Sequence, residues 1–202
     1  MRSPLARWTI GITGTFGSGK SSVARFLKRL GAQAVIDCDR LAHEVFRPRH
    51  ALRKRIASLV GVPQRRLARK RVADKVFSNP RVRERLELIV HPYVFGRVRR
   101  ELKRHPKGVV IVEVPLLFET GFDRECDATI SVIASERVAV HRLKPKGFSA
   151  REVRARLRAQ LPAREKKRRA DFYIVNNGSK QALREKAVKV WRQMTKQYNL
   201  NQ

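Results

Sequence analysis

The chain has little of what would place it among membrane, disulfide-rich or metal-centred proteins. Its 202 residues include only two cysteines, Cys38 and Cys126, which are far apart and outside any ligand spacing. We therefore expect neither a disulfide framework nor a structural metal centre. No apolar run approaches the roughly 20 residues that a helix needs to cross a membrane. Residues 1–7 also have no apolar stretch typical of a secretory signal, so the sequence favours a cytoplasmic protein.

Acidic residues are scarce as well. Seventeen Asp and Glu residues stand against 47 Lys and Arg, which gives a formal net charge of +30. Residues 45–73 hold ten basic residues and no acidic one, and residues 141–170 hold twelve basic residues and two acidic ones. Such an excess favours anionic partners, either phosphorylated small molecules or nucleic acid. Because aromatic residues make up only 7% of the chain, few are available for base stacking, and we expect nucleic acid only as a non-specific partner.

A glycine-rich stretch lies between a predicted buried strand, residues 9–13, and a predicted amphipathic helix from residue 21 onward. It fits the pattern G-x-x-x-x-G-K-[ST], whose fixed positions are here Gly14, Gly19, Lys20 and Ser21. In this context backbone N–H groups surround a phosphate, and the helix N-terminus adds a favourable partial charge. The stretch therefore predicts a nucleoside triphosphate site, in which Lys20 reaches the β- and γ-phosphates and Ser21 ligates Mg²⁺.

Carboxylates follow or end two further predicted strands. Asp37 and Asp39 come after the apolar run 34–36, and Glu113 ends a run that begins at residue 109. Ligands of open parallel sheets bind beyond the carboxyl ends of the strands, so these acids are well placed for chemistry. We assign helix capping to Asp37 and catalysis to Asp39, although the residues alone leave the reverse assignment open. Glu113 occupies the position from which proteins with a phosphate-binding loop of this kind hold magnesium through bound water.

The alternation of strands and helices predicts an α/β fold with three layers and a parallel five-stranded sheet. We expect one domain with a core of about residues 7–47, 107–140 and 171–202. Residues 48–106 are interpreted as a helical insert for binding a substrate, and residues 141–170 as a basic helical lid. Within the insert, His91-Pro92 predicts an interruption of the helix.

Six short groups of residues follow one another in a specific order. They are residues 11–22 (GITGTFGSGKSS), 35–45 (VIDCDRLAHEV), 76–80 (VFSNP), 86–92 (LELIVHP), 113–121 (EVPLLFETG) and 160–171 (QLPAREKKRRAD). With these groups the chain resembles the dephospho-CoA kinase family of P-loop proteins over nearly its whole length. The resemblance implies transfer of the ATP γ-phosphate to the ribose 3′-hydroxyl of dephospho-CoA, the last step of coenzyme A biosynthesis, with Mg²⁺ as cofactor.

The resemblance also implies roles for individual residues. Asp39 would act as the base towards the 3′-hydroxyl, and Lys20 would neutralise charge on the transferred phosphate. His91 would face the acceptor, Arg156 would contact a phosphate of ATP from the lid, and Asn176 would lie near the adenine. The other implied ATP-binding residues are those of the loop, namely Gly14, Gly17, Ser18, Gly19, Ser21 and Ser22.

The chain departs from the family's pattern mainly in the lid. The expected Arg-x-x-x-Arg falls on His141 and Pro145, or, with one gap, on Arg142 and Lys146. Lysine cannot reproduce the bidentate contact that arginine makes with a phosphate.

Two other functions fit the residues taken by themselves. A P-loop kinase for a nucleoside or nucleotide acceptor would share the loop, the Asp37/Asp39 pair and the helical insert. A nucleic-acid-associated ATPase would account for the charge, although no recognised nucleic-acid motif occurs in the chain. Whichever of these functions applies, we expect the protein to be a monomer.

Overall fold

The computed structural model describes residues 6–200, apart from the side chains of Phe77 and Ser78. Residues 1–5, most of the stretch in which no secretory signal was expected, and the side chains of Phe77 and Ser78 in the 76–80 group thus lie outside the described part. The strands are β1 (Arg7–Gly14), β2 (Ala34–Asp37), β3 (Gly108–Glu113), β4 (Ala128–Ile133) and β5 (Phe172–Val175). The helices are α1 (Lys20–Arg29), α2 (Cys38–His43), α3 (Arg53–Val60), α4 (Arg69–Ser78), α5 (Pro80–Lys103), α6 (Glu136–Leu143), α7 (Ala150–Arg158), α8 (Ala163–Arg169) and α9 (Lys180–Tyr198).

The five strands form one sheet in the order β2-β3-β1-β4-β5. In its centre, β1 pairs in parallel with β3, where Ile10 lies opposite Ile111, and with β4, where it lies opposite Ala128. All residues of β1 from Thr9 to Gly14 are buried, as expected for a parallel strand that is covered on both faces. The predicted α/β fold with a parallel five-stranded sheet is confirmed.

The chain divides into two compact units, one of residues 1–36 and 102–202 and the other of residues 37–101. The first unit contains the sheet, and its main apolar core joins the strands to α1 and α9 through buried residues such as Val23, Leu27 and Met194. The second unit is helical and has a core of its own. Its buried members are Val45, Ile56, Ala57, Val60, Leu67, Val72 and Ile89. The substrate-binding insert and the lid remain interpretations of these parts.

The prediction that Pro92 interrupts the helix is wrong, because α5 continues through this residue. A proline inside a helix removes the hydrogen bond to the carbonyl four residues earlier, here that of Leu88. Leu88 is 75% exposed, so water can take the place of the missing donor. Among residues 6–200, no helix is long and apolar enough to cross a membrane.

Candidate active site

The loop between β1 and α1 adopts a backbone that requires glycine. Gly14, Gly17 and Gly19 have φ angles of 151°, 77° and 95°, a region that residues with a Cβ atom rarely enter. A Cβ atom on Gly14 would lie 1.9 Å from the carbonyl oxygen of Val132. The glycines of the sequence pattern are therefore needed both for the turn and for the close approach of β1 to β4.

Contacts from other parts of the first unit hold the loop. The N–H group of Thr15 donates to the carbonyl of Val132 at 3.1 Å, and the N–H group of Phe16 donates to Oε1 of Gln160 at 3.0 Å. The side chain of Asn176 donates through Nδ2 to the carbonyl of Ser18 at 2.7 Å. These bonds come from β4, from the segment between α7 and α8, and from the end of β5, so the loop is fixed from three sides.

The first turn of α1 presents oxygen atoms that suit a magnesium ion. The exposed Ser21 donates its hydroxyl to Oε1 of Glu113 at 2.7 Å, and Glu113, at the end of β3, is 6% exposed. Hydroxyl and carboxylate oxygens are the hard ligands that Mg²⁺ prefers, and the ion usually keeps several waters and phosphate oxygens as well. In residues 6–200, no cluster of three or more His, Cys, Asp or Glu side chains could hold a metal ion. The pair thus fits an ion that is held mainly through the triphosphate.

Asn176 is buried and forms part of a hydrogen-bonded chain that ends at the loop. Besides donating to Ser18, its side chain accepts from Arg142 through Oδ1 at 3.1 Å, and its backbone carbonyl accepts from the same guanidinium at 3.0 Å. Arg142 also donates to the carbonyl of Gly178 at 2.8 Å. The sequence predicted Asn176 near the adenine, and the structure places it against the backbone of the loop. Its role towards ATP stays a prediction.

Arg156, the predicted phosphate contact, lies on α7 against two aromatic rings. Its guanidinium carbon is 4.9 Å from the ring centroids of both Phe16 and Phe148, which are themselves packed edge to face at 5.4 Å. A guanidinium over an aromatic face is attracted by the ring quadrupole. The side chain therefore contacts Phe16 of the loop, and a phosphate contact stays a prediction.

The two aspartates after β2 have different positions on α2. Asp37 precedes the helix and accepts the N–H group of Arg40 at 3.1 Å through its side chain, which confirms the predicted cap. Asp39 is exposed in the first turn. Burial, followed by the charge of Arg69, lowers the pKa of His43, while the carboxylates of Asp39 and Asp37 act in the opposite direction.

His91 lies on α5 and is partly buried, with its ring 5.7 Å from that of Phe95. Burial lowers its pKa below the ordinary value of 6.5, so the neutral imidazole is favoured. The structure thus brings the loop together with Glu113 and Asn176 in the first unit, whereas Asp39 and His91 belong to the second unit.

Sequence reasoning gave no role to three polar residues whose contacts fix this site. They are Glu119, Gln160 and Lys166. All three lie inside groups that carry the family resemblance. A polar residue in such a group that has no assigned role could have been predicted to contact the site.

The fold and the loop together define a P-loop kinase. A crystal structure of a protein from Thermus thermophilus matches with a TM-score of 0.79 at 38% identity, over 94% of this chain and 98% of that one. Shikimate kinase from Acinetobacter baumannii matches with a TM-score of 0.54 at 17% identity over 94% of each chain, a likeness of fold alone.

The family model of dephospho-CoA kinase (CoaE) matches residues 8–182. A dephospho-CoA kinase from Thermus thermophilus is 40% identical over 183 residues, which cover 89% of this chain and 88% of the relative. Another from Geobacillus kaustophilus is 35% identical over 193 residues, 92% of this chain and 96% of the relative. The chain belongs to the dephospho-CoA kinase family. This membership confirms the enzyme class and the acceptor that the sequence groups indicated.

Proposed function

We propose that residues 14–22 hold the triphosphate of ATP and that Asp39 prepares the ribose 3′-hydroxyl of dephospho-CoA to receive the γ-phosphate. The observation that carries the first part is the loop itself, whose three glycines have positive φ and whose helix begins at Lys20. The 3′-hydroxyl of dephospho-CoA must gain a phosphate and lose a proton, so the reaction requires both a phosphate donor and a proton acceptor.

The loop supplies the electrostatic part of the reaction. Backbone N–H groups of the loop and the N-terminus of α1 stabilise the negative charge of the triphosphate. Those of Ser18 and Ser22 donate to the carbonyls of Thr15 and Gly19, so the proposed donors are the N–H groups of Gly17, Gly19, Lys20 and Ser21. Lys20 adds a full positive charge where charge shifts between the β- and γ-phosphates. Ser21 and Glu113 would hold Mg²⁺, which neutralises phosphate charge when it is bound.

Asp39 has the properties that a base towards a hydroxyl needs. It lies exposed in the first turn of α2. Asp37 caps the same helix, so of the two aspartates we assign the role of the base to Asp39. The carboxylate accepts the proton of the 3′-hydroxyl as the oxygen attacks the γ-phosphorus in line, while the bond from that phosphorus to the β,γ-bridging oxygen breaks and ADP leaves.

The test is formation of ADP from Mg-ATP in the presence and absence of dephospho-CoA, with adenosine and AMP as alternative acceptors. We expect Asp39→Asn to lower kcat by about 10²–10⁴-fold while the Kd for ATP stays unchanged. Asp74→Asn, which changes an exposed aspartate on α4 of the same unit, serves as the matched control and should retain activity. Normal turnover by Asp39→Asn would show that the base has been assigned wrongly.

We further propose that the enzyme acts in the cytoplasm as a monomer and that its basic surface binds nucleic acid only non-specifically. The charge of +30 supports the non-specific binding of nucleic acid, because binding of this kind depends on the release of counterions. Affinity for a single-stranded oligonucleotide should therefore fall steeply between 50 and 200 mM salt. Binding that persists in 200 mM salt and stimulates ATP turnover would favour a nucleic-acid-associated role instead.

A further inference from the structure

One backbone N–H group of the phosphate-binding loop is bound by a side chain from a distant part of the chain. The N–H group of Phe16 donates to Oε1 of Gln160 at 3.0 Å, across 144 residues of sequence. Because this N–H group is committed to an amide oxygen, the peptide at Phe16 is held in one orientation. The next residues of the loop supply the N–H groups proposed for the triphosphate, so their direction depends on this peptide.

An ion pair between a buried lysine and a solvent-accessible glutamate lies next to the segment that carries Gln160. Lys166, on α8, is completely buried. Its ammonium group is 2.8 Å from Oε1 of Glu119 and 3.0 Å from the carbonyl oxygen of Pro115. Burial lowers the pKa of Lys166, the Glu119 carboxylate raises it, and the charge of Lys20 lowers it further.

The ion pair contacts both the segment that carries Gln160 and the residue that precedes the loop. Oε1 of Glu119 also accepts the N–H group of Leu161 at 2.9 Å, and so fixes the backbone beside Gln160. On the other side, Lys166 lies 3.5 Å from the hydroxyl of Thr13, which donates to the carbonyl of Pro115 at 3.0 Å. Thr13 directly precedes Gly14, where the loop begins.

Taking the charge of Lys166 out of water costs several kcal/mol, and replacing a buried charge and its partner by well-packed apolar residues is often neutral or stabilising. An apolar pair, however, could not accept the N–H group of Leu161. The carboxylate therefore provides something that packing cannot, a fixed position for the backbone that carries Gln160.

We propose that Gln160 is a positioning residue for the phosphate-binding loop and that the Glu119–Lys166 pair holds Gln160 in place. The proposal rests on the function proposed above for residues 14–22. It predicts that the loss of either element changes the affinity for ATP while leaving the affinity for dephospho-CoA unchanged.

The first test is Gln160→Met, which keeps the length of the side chain and removes the acceptor. We expect kcat/KM for ATP to fall about tenfold, the effect of one lost hydrogen bond, and the Kd for ATP to rise, with KM for dephospho-CoA unchanged. The matched control is Gln193→Met on the exposed face of α9, which should behave as wild type. If both variants have the same kcat/KM for ATP, the proposal is overturned.

The second test separates positioning from stabilisation. Glu119→Leu alone leaves the buried charge of Lys166 without its partner and endangers folding, so the informative variant is the double change Glu119→Leu/Lys166→Leu. We expect a melting temperature near that of wild type together with a rise of about tenfold in the Kd for ATP. Adding Gln160→Met to this variant should weaken ATP binding little further, because residues that act through one contact are not additive. An unchanged Kd for ATP, or fully additive effects, would contradict the proposal.

A third variant distinguishes failure of this proposal from failure of the proposed site. Lys20→Ala should abolish measurable ATP binding if residues 14–22 hold the triphosphate. If Lys20→Ala binds ATP as wild type does, the site itself has been assigned wrongly. If Lys20→Ala loses binding and Gln160→Met does not, the site stands and only the positioning role is overturned.

Discussion

The two compact units hold their proposed functional residues in different ways. In the first unit the loop is fixed by the sheet. Buried Asn176 donates to the carbonyl of Ser18 within the loop, and buried Thr13, just before the loop, donates to the carbonyl of Pro115. In the second unit Asp39 lies exposed in the first turn of a six-residue helix. A triphosphate site depends on backbone N–H groups, which need a rigid frame, whereas a base needs one accessible carboxylate.

The second unit also relies more on single side chains than on a sheet. Arg53 is 9% exposed and donates to the carbonyls of three residues, Phe46, Gln64 and Leu67. Glu44 accepts from the hydroxyl of Tyr93 at 2.5 Å and from Arg97 at 2.7 Å. A substitution of the same kind should therefore affect stability and ATP binding to different extents in the two units.

The largest effect is expected from a methyl group added to the loop. Gly14→Ala would place Cβ 1.9 Å from the carbonyl oxygen of Val132, so the backbone of β1 or β4 must move. We expect a loss of about 3 kcal/mol or more in the free energy of unfolding, together with loss of ATP binding. Urea denaturation and ATP titration measure the two effects.

The matched change in the second unit is Gly61→Ala, after α3. Gly61 also has a positive φ, 70°, but a Cβ atom there would meet nothing within 4 Å. Its cost is therefore only that of the left-handed backbone, about 1 kcal/mol, with ATP binding retained. Equal losses at Gly14 and Gly61 would refute the stated difference between the two units.

The sequence was most informative where a function depends on the backbone. The spacing of Gly14, Gly19 and Lys20 predicted the loop, because only glycine allows its turns, and runs of β-branched residues predicted the strands that frame it. The cap by Asp37 was predictable for the same reason, since capping is local. Such features need only a few neighbouring residues.

The contacts that fix the loop could not be predicted in this way. Gln160 meets Phe16 across 144 residues, and Lys166 meets Thr13 across 153, so no local pattern reveals either contact. Lys166 stands among Lys167, Arg168 and Arg169 in a basic run, which gives no sign that it alone is completely buried. At Pro92 the local rule failed, because α5 continues through the proline and the surroundings that allow this are not contained in the local sequence pattern.

An intermediate effect is expected from Arg53→Met, which removes a guanidinium and leaves three carbonyls of the second unit without their donor. We expect a loss of about 2 kcal/mol in the free energy of unfolding and a higher KM for dephospho-CoA, while the Kd for ATP stays unchanged. Lys54→Met, at the exposed neighbouring position, is the control and should change neither quantity. A weaker affinity for ATP in Arg53→Met would contradict the expectation that the helical insert serves the acceptor and not ATP.

The smallest effect concerns the pH dependence of stability in the second unit, through His91. Burial lowers the pKa of His91 in the folded chain, so below about pH 6.5 the unfolded chain binds a proton that the folded chain does not. His91 therefore makes the free energy of unfolding decrease as the pH falls from 7.5 to 5.5. In His91→Gln this contribution is absent, and the difference in stability between the two pH values should be smaller than in wild type. Urea denaturation at both pH values measures it, and an equal or larger difference in the variant would contradict the burial of this imidazole.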